Sequence, residues 1–87
     1  MRDSQHLQRV NDRIGPAVVR FCRGRVGRTF HSIDLLHYVR VLDPTVAPDS
    51  PSRILRDLRQ RGAVDYQLVD RQASQYRVTA VKPEAAQ

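Results

Sequence analysis

The stretch APDSPSRILRDLRQRGAVDY, residues 47–66, changes its hydrophobic period part-way along. Before Gly62 the apolar residues Ile54, Leu55 and Leu58 recur at helical spacing. Beyond it Val64, Tyr66 and Leu68 alternate with polar neighbours, the period of a strand with one buried face. Ser50 is a favoured cap, and Pro51 suits the first helical position, where its missing N–H costs little. Gly62 supplies a left-handed stop. The pattern predicts a helix over 51–61 that ends on glycine and runs straight into a strand.

Downstream, QYRVTAV, residues 75–81, alternates again, with Tyr76, Val78 and Ala80 on one face. The polar RQAS, residues 71–74, separates the two runs, so together they read as an antiparallel hairpin. Upstream, HSIDLLHYVRVL, residues 31–42, reads as another helix. His31 or Ser32 caps it, and Asp34 stands in the first turn, where the helix dipole favours negative charge. Its expected inner stripe is Ile33, Leu36 and Val39, flanked by Leu35 and Tyr38. The proline-punctuated DPTVAPDSP, residues 43–51, connects this helix to the next.

The first helical pattern lies in HLQRVNDRIGPAVVRFCRG, residues 6–24, where Leu7, Val10, Ile14, Val18 and Phe21 form a stripe. Pro16 is tolerated best in a first turn. The helix is therefore expected to start near Asp12, with Asn11 or Asp12 as cap, and to end at Gly24. Residues 4–11 remain an arm or a kinked extension of it. RVGRTF, residues 25–30, is a loop leading into a short extended piece at Phe30. The class is α+β: three helices, a short strand after the first, and a C-terminal hairpin. The divisions are an arm over 1–11, one domain over 12–81 and a tail over 82–87.

The chain has 87 residues, and fifteen basic against nine acidic side chains give a net charge of +6. All but one of the basic residues are arginine. Such a balance points to an anionic partner, most simply nucleic acid, because arginine makes paired contacts to phosphate and guanine. No apolar run has the length of a membrane span. A lone cysteine, Cys22, and a polar N-terminus predict a reduced cytoplasmic setting, nucleoid-associated in a bacterial or phage context.

The segments HSIDLLHYV, SPSRILRDLRQRG and AVDYQLVDRQASQYRV occur in that order over residues 31–78. With them in view, residues 12–81 resemble a winged helix-turn-helix domain. RILRDLRQRGAVDY is similar to the recognition helix and first wing strand of that superfamily. The resemblance implies a third helix that enters the major groove of duplex DNA, and a hairpin wing that touches the adjacent groove. The connector between the second and third helices is longer than the three- or four-residue turn of a simple helix-turn-helix.

On the third helix, Ile54, Leu55 and Leu58 must face the core, which turns Ser52, Arg53, Arg56 and Gln60 outward with Arg59 on the flank. Arginine reads guanine and glutamine reads adenine through paired hydrogen bonds, so Arg53, Arg56 and Gln60 are the expected base readers. Ser52 and Arg59 are expected on the backbone. Arg53 and Asp57 stand four apart, as do Asp57 and Arg61, so part of this charge is expected to be compensated on the helix itself. Arg71 and Gln72 mark the hairpin turn, and Arg25 and Arg28 are secondary phosphate contacts. Tyr66 and Tyr76 read as core residues.

Cys22, His31 and His37 share no metal-ligand spacing, so no metal and no cofactor are expected. The single glutamate, Glu84, and single lysine, Lys82, lie near the C-terminal end, and the eight aspartates are scattered, which argues against a nuclease and against enzymes generally. The reading is a small DNA-binding transcriptional regulator. Leu7, Val10 and Ile14 offer a homodimer surface, the alternative being that they pack within an extended first helix of one chain. A reading of another class uses the same arginines to anchor an acidic surface of a protein partner that processes nucleic acid.

Overall fold

The computed structural model describes the backbone of residues 2–82 and the side chains of residues 13–82. Its elements are α1 (Arg2–Arg23), β1 (Thr29–His31), α2 (Ser32–Leu42), α3 (Ser50–Gln60), β2 (Val64–Asp70) and β3 (Gln75–Val81). The strands form an antiparallel sheet in the order β1-β3-β2. The fold is thus α+β, with three helices and a three-stranded sheet.

The inward stripe of each helix meets one face of the sheet. Phe21 of α1 stands edge-on to Phe30 of β1 at 5.0 Å and to Tyr38 of α2 at 5.4 Å. Phe30 stacks on Tyr76 at 5.5 Å, and Tyr76 meets Tyr66 edge-on at 5.5 Å. This aromatic chain joins five elements, and each pair is worth about 0.5–1.5 kcal/mol beyond its buried area. Ile54, Leu55 and Leu58 of α3 complete the core with Val18, Leu35, Val64 and Val78. Tyr66 is buried and Tyr76 half-buried, as the alternation predicts.

α1 does not start near Asp12. It is one helix through Pro16, and residues 4–11 continue it. Pro16 lies on the exposed side, where water can serve the carbonyl that its ring leaves without a donor. Ile14 is only 1% exposed and sits in the core, so it is not available to a second copy as dimer surface. The side chains of Leu7 and Val10 lie outside the described residues. The left-handed glycine after α1 is Gly27, φ 82°, not Gly24. The N–H of Gly27 donates to Val78 O at 2.7 Å, tying the loop to the sheet.

His31 is the cap of α2. Its Nδ1 accepts from the Ile33 N–H, and Asp34 accepts from the His31 N–H, a reciprocal capping box. The phase of α2 differs from the expected stripe. Leu35 and Val39 are fully buried, whereas Ile33 is 48% exposed. At about 100° per residue Ile33 lies nearly opposite Leu35, and both cannot face the core. On the hairpin, Leu68 is likewise exposed, although its register partner Tyr76 packs against the core. A bulge opposite Asp65 and Tyr66 twists the strands there.

The long connector is bound down. Thr45 donates to Asp43 through both its N–H and its hydroxyl, Val46 is buried, and Arg40 donates to Val46 O. Arg13 approaches Asp43 at 2.8 Å as an ion contact without hydrogen-bond geometry. α3 then begins at Ser50, with Asp49 rather than Ser50 in the cap position and no side-chain cap bond. The Asp49 carboxylate is engaged by Arg53 instead. At the other end Gly62, φ 78°, donates to Arg59 O while Ala63 donates to Leu58 O at 2.9 Å, a Schellman stop.

Gly62→Ala forces a Cβ into the left-handed region and should cost about 1–2 kcal/mol in a denaturant titration. Gly24→Ala, where a Cβ meets backbone oxygens only at 3.8 and 3.9 Å, should cost nothing or stabilise slightly. The Thr45 hydroxyl, aided by the Thr45 N–H and Arg13 against some desolvation, holds the Asp43 carboxyl below its ordinary 3.8. A depressed folded value means stability present above pH 3.8 and lost as pH falls through the folded value. Thermal melts of wild type and Asp43→Asn should therefore differ at pH 7 and converge in acid.

Candidate nucleic-acid interface

Burial of Pro51, Ile54, Leu55 and Leu58 fixes the rotation of α3 about its axis. Its free side carries Arg53, Arg56, Arg59 and Gln60 exposed and Ser52 half-buried. Ser52, Arg56 and Gln60 stand four apart in succession and so form one strip along the helix.

The arginines are not equivalent. Arg53 pairs with Asp49 at 3.1 Å and Arg61 with Asp57 at 3.0 Å. The expected Arg53–Asp57 pair is replaced by one that reaches backward. In both observed pairs the acid precedes the base by four residues, the better orientation against the helix dipole. Arg59 turns toward the sheet, with Nε 3.6 Å from Asp65 Oδ1 and its guanidinium 4.9 Å from the centre of the Tyr66 ring. Asp65 is itself held by the Tyr66 N–H at 2.9 Å. Burial pushes the Tyr66 hydroxyl up, while the Arg59 hydrogen bond and the charges of Arg59 and Arg56 pull it the other way. Arg56 makes no ion pair among the described residues, so its five donors face solvent.

The secondary contacts separate similarly. Arg25 lies over the Phe21 ring at 3.8 Å and donates to Phe21 O, so its head is already engaged and it is a poor phosphate ligand. Arg28 is exposed, as are Arg71 and Gln72 in the hairpin turn. That turn is anchored: the Ser32 N–H at the start of α2 donates to Ser74 O at 3.0 Å, and His31 pairs with Gln75. The hairpin turn thus sits beside the first turn of α2.

Two groups escape a reading of the chain as a string. Asp65 holds Arg59 across the Gly62 turn, outside the helical spacings that signal ion pairs. Lys82 reaches the same turn, its Nζ lying 3.6 Å from where a Cβ on Gly62 would stand. Among the described residues no group of three or more His, Cys, Asp or Glu side chains could hold a metal ion. No helix among the described residues is long and apolar enough to cross a membrane. No protein-family model matches the chain, and no curated protein or solved structure matches it either.

Cys22 is fully buried, and burial, opposed weakly by Arg25, pushes its thiol up to about 12. A thiol at that value is a packing group rather than a nucleophile. A thiol reagent at pH 8 should leave the folded protein unlabelled over minutes and label one equivalent at once in denaturant.

Proposed function

We propose that the chain is a winged-helix DNA-binding protein, acting as a small transcriptional regulator that lays α3 in the major groove. The order of helices and strands is compatible with that fold, and the net charge of +6 suits a polyanion. The observation that carries the reading is the strip Ser52–Arg56–Gln60. It puts an uncommitted arginine and a glutamine one turn apart on the exposed side of a helix whose other side is locked in the core. Arg56 and Gln60 are then the base readers, by the paired hydrogen bonds that guanine and adenine accept and offer. Ser52, Arg53 and Arg59 hold backbone; the exposed Arg53–Asp49 pair is worth about 0–1 kcal/mol and yields readily to a phosphate. Arg71 and Gln72, with Arg28, contact the flanking strand.

Selection of bound duplexes from a random pool tests this. The expected outcome is a defined sequence bound with a log–log salt slope of several units. Arg56→Ala should then cost about 1–3 kcal/mol at one base position and relax preference there, whereas Arg53→Ala should weaken all duplexes alike. Sequence-blind binding of micromolar strength or weaker at about 150 mM salt would sink the proposal and turn attention to an acidic protein surface as the partner.

A further inference from the structure

A groove of about 380 Å³ runs between the last turn of α3 and the open end of the hairpin, with Arg59, Gly62, Asp65, Ala80 and Lys82 on its walls. We propose that this groove is a phosphate-binding subsite, with Arg59 and Lys82 as its two cationic ligands. The inference rests on the nucleic-acid reading above and carries that interface past the helix to the end of β3.

Each wall holds its cation in place. The Lys82 N–H donates to Ala63 O at 3.0 Å, continuing the β2–β3 pairing by one residue and fixing the root of the side chain. Its ammonium lies beside Gly62, 3.6 Å from where a Cβ would stand. Lys82 makes no ion pair among the described residues. Arg59 is steadied by the Tyr66 ring and by Asp65, but 3.6 Å is too long for a hydrogen bond from Nε to the carboxylate. Beyond the donor that meets the Tyr66 hydroxyl, guanidinium N–H groups are left for a ligand.

Two negative features oppose an anion here, and both are blunted. The helix C-terminus would repel it, yet the Leu58 and Arg59 carbonyls are occupied by the Ala63 and Gly62 N–H groups. Asp65 neutralises part of Arg59, but this exposed and loose pair is one that a phosphate can displace. A phosphodiester offers two anionic oxygens, and the groove offers a planar fork on one side and a compact ammonium on the other. Arg59 flanks the strip of Arg56 and Gln60, so a strand whose bases meet that strip continues over Arg59 into the groove.

The test is duplex binding by the full chain, titrated between 50 and 200 mM salt against its selected sequence and a scrambled one. Lys82→Gln and Arg59→Gln should each reduce the slope by about 0.9, the share of one phosphate contact, with the selected-to-scrambled ratio unchanged. Asp65→Asn should tighten both duplexes by roughly two- to fivefold. Arg23→Gln, an exposed arginine at the end of α1, is the control for net charge and should leave the slope as it is. If Lys82→Gln behaves like Arg23→Gln while wild type still selects its sequence, the subsite is wrong and the helix reading stands. If wild type shows neither selection nor a salt slope, both fall together.

Discussion

The left-handed turn at Gly62 is the constraint on which the exposed side of the molecule depends. Within three residues the chain must leave a helix whose Leu55 and Leu58 are buried and enter a strand whose Val64 and Tyr66 are buried in the same core. Only a tight reversal meets that condition, and the Gly62 and Ala63 N–H groups close it on the last carbonyls of α3. Because both flanks are buried, α3 cannot roll about its axis. The outward direction of Ser52, Arg56 and Gln60 follows from that restraint and not from any contact of their own.

The aspartates sort the charge that this restraint exposes. Asp49, Asp57 and Asp65 each stand against one arginine, at 3.1, 3.0 and 3.6 Å. The Arg53–Asp49 and Arg59–Asp65 pairs are exposed and add little to stability. The consequence of all three is geometric: Arg53 is drawn toward the start of α3, Arg61 is engaged at its end, and Arg59 is turned onto the sheet. Arg56 is left exposed in the middle of the strip, with no ion pair among the described residues. The other anchored features serve the same frame. The connector held by Asp43, Thr45 and Val46 sets where α3 begins, and the bond from Ser32 to Ser74 keeps the hairpin turn beside α2.

Much of this was legible from residue order. The glycine stop, the hairpin with its turn at 71–74, the short strand before His31 and the buried side of α3 all follow from local chemistry, namely φ > 0 at glycine and a period of two or 3.6. Errors arose where two local rules compete. Pro16 suggests a helix start, yet an exposed proline inside a helix loses only one donor, and α1 runs on through it. Ile33 looks like a stripe residue because it is apolar, yet the cap at His31 and burial of Leu35 and Val39 set a phase that turns it out. Ile14 reads equally as core or as interface until its neighbours are known.

The sequence by itself determined the class of fold, the hairpin, α3 to within one residue at each end, and which side of α3 faces outward, because each rests on chemistry within a few residues. Tertiary structure decided the commitment of Arg59 and the reach of Lys82, whereas Arg53–Asp49 and Arg61–Asp57 are local pairs four residues apart. Asp65 reaches Arg59 only after the chain reverses at Gly62, and Lys82 reaches that turn only once β3 has paired with β2. Arg25 is withdrawn onto Phe21 by a local contact, four residues back along the chain. Between elements charge reaches across turns and strands, so those partners are set by how the chain folds back on itself, whereas pairs within one helix follow from the order of the residues.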